Sequence, residues 1–251
     1  MPSEVRHRVA DDQAFPLVRL TGVLDRETAP EMRSALLDVL AGQPEAVVVD
    51  VADLSLARPD DAGALRDLRE ETVDWPAARL ALADARDPGR WRETGWPVWP
   101  GTGEALDSLG EPRRDGRLTL SLEPAAGAAR RSRETIIDAC DRWDRADLAG
   151  SACIVVTEMV NNVVAHAHTP MVVLLALRGA GLAVAVRDES ERIPSFTGAP
   201  APTSYGGRGM LLIDSVATRW GNLPLANGKV VWALLGASKD HDGGTTGPNM
   251  R

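Results

Sequence analysis

The sequence is poor in the residues that mark several classes of protein. It has two cysteines, too few for the disulfide framework of a small secreted domain, and both fall in segments with a helical pattern. Its 36 acidic residues outnumber its 28 basic ones, and the net charge of -8 disfavours a nucleic-acid-binding protein, which normally carries a basic face. The N-terminal stretch lacks the apolar core of a signal peptide, and no apolar run reaches the roughly 20 residues that span a bilayer. We therefore expect a cytoplasmic protein that contacts neither nucleic acid nor membrane.

What the sequence does contain is enough apolar residues, 44% of 251, to build two domains of ordinary size. Strand and helix patterns alternate over the first 110 residues, which predicts a sheet with helices packed on it. The charged stretch GEPRRDGR predicts a linker. The fold class is thus α/β (α+β), with the following expected division: a first domain 1–110, a linker 111–117, a second domain 118–237 and a disordered polar tail 238–251.

The second half has its own order of elements. The patterns predict a strand at 118–122, two consecutive helices at 125–143 and 145–168, a hairpin around Gly179-Ala180-Gly181, an aperiodic loop at 190–205, a helix at 208–221 and a last strand at 228–236.

The second of these helices has an unusual polar side. From Ala152 to Leu177 its only charged side chain is Glu158, and Glu158, Asn162 and His166 follow one another at intervals of four. A water-facing helix normally carries Lys, Arg and Glu there, so this stripe is expected to face a cavity. An amide oxygen beside a carboxylate suits Mg²⁺, which takes oxygen ligands. The alternative, that the stripe is merely the modestly polar surface of a core helix, has equal weight on this pattern alone.

Two later features fit a ligand site. Asp188 ends a buried strand, and the stretch YGGRGM places glycines immediately before an apolar helix, where the backbone can approach a phosphate and helical N–H groups can bind it. Each feature has a plainer alternative, since an acid after a strand is more often a turn residue and a glycine-rich turn is equally a hinge.

The order of these motifs resembles the Bergerat-type ATPase/kinase superfamily, and within it the anti-sigma regulatory factors that act as protein serine kinases. The resemblance covers roughly residues 118–237. TEMVNNVVAHA is similar to the family's N box, VAVRDES to its first glycine box, GGRGMLLIDSVATRWG to its second and GKVVWALL to its final strand. One departure is that the superfamily's Asp-x-Gly-x-Gly is here Asp188 followed by Glu-Ser-Glu-Arg, which puts tight adenine packing in doubt.

The resemblance implies roles for particular residues and two cofactors, ATP and Mg²⁺. Asn162 would bind Mg²⁺, Glu158 would be the general base, and Asp188 would accept a hydrogen bond from the adenine amino group. Gly207 and Gly209 would bring backbone amides to the phosphates. His166 is a further cofactor-binding candidate of the N box, and residues 190–205 would form the lid.

The first half resembles a STAS domain, the fold of anti-sigma-factor antagonists. LVRLTGVLDRETAPEMRSALLDVL carries the resemblance best, and AVVVDVADLSLARPDDAGALRDL aligns with the segment that bears the family's phosphorylated Asp-Ser-Ser-Gly. The matching positions here are Asp60-Asp61-Ala62-Gly63, with no hydroxyl. The two acids either imitate a phosphoserine or simply favour a helix N-terminus. The second interpretation has about twice the weight of the first.

Two functions remain open on the sequence. The leading one is an ATP-binding anti-sigma-type regulator that phosphorylates a serine or threonine of a separate STAS protein, with that protein or a sigma factor as partner. The other is a non-catalytic module that binds nucleotide and sequesters such partners. A histidine kinase is disfavoured because no helix with a phosphoacceptor histidine precedes residue 118. The sequence leaves open whether the chain forms a homodimer, and whether the tryptophans at 91, 96 and 99 form core or surface.

Overall fold

Two five-stranded sheets organise the computed structural model, which describes residues 4–10, 13–75, 78–112, 115–191 and 208–236. The predicted lid beyond residue 191, Gly207 and the predicted tail lie outside the described residues. The first sheet lies in the first half of the chain and the second sheet in the second half, so the predicted α/β (α+β) class is confirmed.

The first sheet has the order β1-β2-β3-β4-β5, in which β1 and β2 are antiparallel and the later neighbours are parallel. Its strands are β1 (Val5–Ala10), β2 (Leu17–Leu24), β3 (Ala46–Leu56), β4 (Arg79–Ala83) and β5 (Val98–Trp99), and the helices around it are α1 (Ala29–Ala41), α2 (Gly63–Thr72) and α3 (Thr102–Leu109). Parallel strands need crossover connections, and the helices supply them. The parallel strands are therefore covered on both faces, which explains the unbroken apolar run of β3.

The second sheet is antiparallel throughout, in the order β6-β7-β8-β10-β9. Its strands are β6 (Arg117–Leu122), β7 (Met171–Arg178), β8 (Gly181–Asp188), β9 (Arg219–Leu225) and β10 (Gly228–Leu235), and its helices are α4 (Ala128–Arg142), α5 (Ala146–Asn162) and α6 (Arg208–Val216). The predicted hairpin is confirmed, because Arg178 pairs with Gly181 across a two-residue turn.

Each face of the second sheet packs against a different partner. Because side chains alternate along a strand, Val184 and Val186 point to one face and Ala185 to the other. Val184 and Val186 belong to one apolar cluster with α4, α5 and α6, which we call the inner face. Ala185 and Val230 belong to the cluster of the first domain, so their face, the outer face, is covered by that domain. The layers therefore run α3, first sheet, α1 with α2, second sheet, and then α4 to α6.

Polar contacts frame this junction of the two domains. Arg219 forms an ion pair with Asp74 at 2.6 Å, and Arg178 donates to the Asp74 carbonyl at 3.1 Å. Arg117 donates to the carbonyl of Gln43, at the end of α1. Burial raises the pKa of Asp74, and the attraction of Arg219 and Arg178 opposes that rise. The junction thus buries charge as well as apolar surface.

One predicted element is wrong in its extent. The helix expected over 208–221 ends at Val216, and Arg219–Leu225 forms the edge strand β9 instead. Pairing with β10 decides this, and Pro224 is tolerated because an edge strand needs hydrogen bonds on one side only. Gly221 faces Trp232 so closely that a Cβ would lie 2.8 Å from its ring.

The helical segment Ala146–Ala167 is, by length and composition alone, long and apolar enough to cross a membrane, contrary to the expectation from the sequence. Its apolar side packs in the core of the second domain, through residues such as Val155, Val156 and Val160. Glu158 and Asn162 interrupt its other side. This arrangement is typical of the core helix of a globular domain.

Candidate functional site

Helix α5 holds the two polar side chains on which the sequence analysis depends. Residues such as Val156, Met159 and Val160 are buried against the sheet, and this packing fixes the rotation of the helix. Glu158 and Asn162, one turn apart, lie half-buried beside that apolar side. Glu158 and Asn162, the first two residues of the predicted stripe, therefore lie on one side of the helix, and this side faces another element of the domain.

That element is the first turn of α6. Gly209 approaches Glu158 so closely that a Cβ built on it would lie 2.6 Å from Glu158 Oε2. In the next position, the Sδ of Met210 lies 4.0 Å from Asn162 Nδ2. A side chain at 209 would therefore displace the Glu158 carboxylate. Glu158, Asn162 and the N-terminal turn of α6 thus form one cluster, as the sequence predicted.

Asp188 lies at the end of β8 and projects to the inner face, in line with Val184 and Val186. It is 1% exposed, and Lys229, opposite it on β10, is 5% exposed. Lys229 Nζ lies 2.7 Å from Asp188 Oδ1 and donates also to the carbonyl of Ser190 at 3.0 Å. Sequence reasoning missed Lys229. Its signal was available, because a lysine inside the apolar strand GKVVWALL needs a buried partner.

A cavity of about 630 Å³ opens at this end of the sheet. Asp188 lines it together with Met171 and the start of α4 at Gly127. Its size falls within the range of small-molecule sites, about 300–1,000 Å³. Glu158 and Asn162 are not among the described residues that line it.

His166 lies one turn beyond Asn162, in the short π-helical turn Val163–Ala167. It is exposed, and the wider turn changes the spacing that placed it on the stripe with Glu158. The chain reverses directly afterwards at His168, which has a positive φ of 57°. The part assigned to His166 in cofactor binding stays a prediction.

The donor set around Glu158 and Asn162 fits Mg²⁺ bound together with phosphates. Within the described ranges, no group of three His, Cys, Asp or Glu side chains could hold a metal by itself. Mg²⁺ commonly takes one or two protein oxygens and completes its shell with water and phosphate oxygens. Asn162 Oδ1 can supply such a ligand, because the amide turns its nitrogen towards Met210. Gly209 has no side chain, so the backbone of the first turn of α6 can lie directly beside the Glu158 carboxylate.

The cysteines have no part in this chemistry. Both are free, and burial raises the pKa of the Cys140 and Cys153 thiols, so neither is an activated nucleophile. Of the tryptophans at 91, 96 and 99, Trp91 and Trp96 are buried in the core of the first domain, and Trp99 packs partly buried against a smaller apolar cluster of the same domain.

Comparison with known proteins adds independent findings. Comparison with curated proteins gives no match. Among solved structures, an anti-sigma factor antagonist from Mycobacterium paratuberculosis is similar at 20% identity and a TM-score of 0.36, covering 42% of this chain and 93% of its own. A serine-to-glutamate variant of RsbS from Moorella thermoacetica is similar at 16% identity and a TM-score of 0.34, covering 41% of this chain and 94% of its own.

The family comparison concerns the second domain. Residues 120–232 match the family described as the histidine kinase-like ATPase domain. The match takes in the site elements α5, β8, α6 and most of β10, and it agrees with the resemblance that the sequence motifs indicate. Residues 120–232 are therefore similar to the histidine kinase-like ATPase domain.

Proposed function

We propose that this protein is an ATP-binding, anti-sigma-type regulator that transfers the γ-phosphoryl group of ATP to a serine or threonine of a separate STAS-domain protein. The observation that carries the proposal is the cluster of Glu158 and Asn162 against Gly209 at the first turn of α6. It combines a carboxylate, a metal-binding amide and helix N-terminal N–H groups, which are the groups that phosphoryl transfer needs for positioning and charge neutralisation.

Each residue has a role in this proposal. Glu158 accepts the proton of the incoming hydroxyl, and Asn162 holds the Mg²⁺ that accompanies ATP. Asp188 accepts a hydrogen bond from the base. The N–H groups at the start of α6, at Gly209 and at Gly207 outside the described residues, bind the phosphates. His166 stays a candidate contact to the nucleotide.

The position of the first domain supports transfer to a separate protein. Asp60, in the segment that aligns with the phosphorylated motif, is exposed just before the start of α2, whereas Asp74 after the end of α2 contacts the second domain. The ten residues of α2 separate these points by about 15 Å. Helices α5 and α6, which carry the residues proposed to bind the nucleotide, lie on the inner face of the second sheet, and the first domain lies on its outer face. The aspartate-bearing segment is thus far from Glu158.

The same segment is placed for docking. A groove of about 450 Å³ beside it is lined by charged side chains of both signs, among them Arg33, Asp61 and Glu71. Asp61 has a local task, since its carboxylate accepts from the backbone N–H of Arg58 at 2.8 Å, while Asp60 is exposed. This contact favours the structural interpretation for Asp61. The groove suits a partner such as a sigma factor or another STAS protein in a cytoplasmic partner-switching pathway of transcription regulation.

The test is phosphate transfer from Mg-ATP labelled in the γ position to candidate STAS proteins. Glu158→Ala should retain nucleotide affinity and lose transfer by about a hundredfold or more, as expected for a general base. Asn162→Ala should lose Mg-ATP binding while its thermal unfolding stays unchanged. Unfolding of the Asn162 variant would mean that the residue is structural, and transfer by the Glu158 variant would remove the base from the mechanism.

The second candidate is a non-catalytic module that binds nucleotide and sequesters its partner. Two departures from the family pattern favour it, because the glycine pair after Asp188 is missing and the segment Asp60-Asp61-Ala62-Gly63 has no acceptor hydroxyl. Nucleotide binding with no transfer to any STAS partner, and no effect of Glu158→Ala on partner binding, would decide for this candidate.

A further inference from the structure

The pairing of Asp188 with Lys229 was not predicted from the sequence motifs, yet it lies where the proposed function places the base of the nucleotide. The two residues are direct neighbours across β8 and β10. The preceding Gly228 has a φ of 104°, and a Cβ there would lie 2.0 Å from the Asp188 carbonyl oxygen. The start of β10 is therefore pressed against the end of β8, which places the Lys229 side chain beside the Asp188 carboxylate.

The two oxygens of the Asp188 carboxylate differ in the hydrogen bonds that they accept. Lys229 Nζ and the backbone N–H of Ser190 both donate to Asp188 Oδ1, at 2.7 and 2.8 Å. Within the part of the chain that the structure describes, both recorded bonds thus converge on one oxygen. A carboxylate oxygen pair can accept about four hydrogen bonds, so Oδ2 can accept from a ligand.

Lys229 also connects this carboxylate to the chain that follows it. Its second contact runs to the Ser190 carbonyl at 3.0 Å, so a single ammonium group holds both Asp188 and the residue two positions later. Removing the ammonium would leave a buried carboxylate and a backbone carbonyl without their shared donor. Of the two recorded donors to Asp188 Oδ1, only the Ser190 N–H would then remain, so the carboxylate would be held less firmly.

We propose that Lys229 is the positioning residue of a base-recognition site: it fixes Asp188 through Oδ1, so that Oδ2 accepts from the exocyclic amino group of a 6-aminopurine nucleotide. The inference rests on the proposed function and goes beyond it, because it makes the choice of base depend on a lysine that does not itself touch the base. A purine with an oxygen at position 6 lacks this amino donor, and its oxygen would face Asp188 Oδ2, which is also a hydrogen-bond acceptor.

The experiment compares the affinities of the full-length protein for ATP and for inosine triphosphate, which differ in this group, with Mg²⁺ present. The unaltered protein should prefer ATP by about ten- to a hundredfold, the factor that one hydrogen bond to a charged group contributes. Lys229→Met, which keeps the length of the side chain, should reduce the preference to about threefold or less. Arg90→Met is the matched control, because it removes the cation from the buried Asp84 of the first domain and should leave the ratio unchanged.

A second variant covers the case in which Lys229→Met does not fold. Asp188→Asn combined with Lys229→Met removes both charges of the pair, which is tolerated far better than the removal of one. This double variant should bind both triphosphates with nearly equal affinity, since a carboxamide can accept or donate. A full preference for ATP in either variant would overturn the proposal.

Lysine chemistry offers a direct readout as well. The chain has two lysines, Lys229 and Lys239, so selective isotope labelling gives two ammonium signals. ATP should shift the Lys229 signal more than inosine triphosphate does, with Lys239 as internal reference. A protein that binds both triphosphates equally and shows no shift would refute the role of Lys229 while leaving the proposed function standing. A protein that binds neither would refute both.

Discussion

Replacing Gly209 by alanine separates the chemistry of the site from its stability. The new Cβ would lie 2.6 Å from Glu158 Oε2, whereas ordinary contact begins at 3.4 Å, so the carboxylate must retreat by about 0.8 Å. A displacement of about 1 Å of a catalytic group can reduce a rate a hundredfold. Within a helix, alanine is more favourable than glycine by roughly 0.5–1 kcal/mol. We therefore expect Gly209→Ala to fold at least as stably and to lose transfer by about one to two orders of magnitude.

The assay measures transfer from Mg-ATP to a STAS partner, together with nucleotide affinity and urea unfolding. Gly150→Ala in α5 is the matched control, because a Cβ at that position meets nothing within 4 Å. It should gain similar stability and keep full transfer. Undiminished transfer by Gly209→Ala would refute the role of Glu158 as base, because the displaced carboxylate would then be dispensable. Equal loss in the Gly150 control would mean that helix rigidity, and not the contact, matters.

The remaining predictions concern buried charges. Asp84→Asn should cost about 2–4 kcal/mol of unfolding free energy at pH 7, because Asp84 accepts from Arg90 and from Trp91 at 2.7 Å each. Burial alone would raise the pKa of Asp84, but these two bonds and two backbone N–H groups lower it below its ordinary value. The stability that the ionised Asp84 contributes is therefore present above about pH 4 and is lost as the pH falls further. Urea unfolding at pH 7 and pH 3 checks this, and an equal difference at both values would contradict it. Asp74→Arg should repel Arg219 and weaken the docking of the two domains, so that hydrogen exchange of the backbone amides in β9 becomes about tenfold faster. Asp74→Asn should change this exchange little, because burial raises the pKa of Asp74 and makes its charge costly. Unchanged exchange in Asp74→Arg would mean that apolar contacts alone hold the junction.

The part of the site on α5 could be predicted because it is local. The four-residue interval between Glu158 and Asn162 and the apolar residues on the other side fix one side of a helix without any knowledge of its neighbours. The hairpin at Gly179 is likewise determined by a few adjacent residues.

Other features depended on residues distant in the chain. Arg219, Trp220 and Gly221 fit the end of a helix closed by a glycine, and only their pairing with β10 makes them the start of β9. Tertiary structure often overrides such local preference.

The sequence by itself determined the α/β class and the succession of motifs, and it named Glu158, Asn162, Asp188 and Gly209 as candidate residues, since periodicity and turn chemistry act over a few residues. Only the tertiary structure decided that Lys229, 41 positions after Asp188, shares its carboxylate, and that the first domain covers the outer face of the second sheet. Burial creates these contacts, because a charge or an apolar face removed from water must find its partner wherever the chain brings one near.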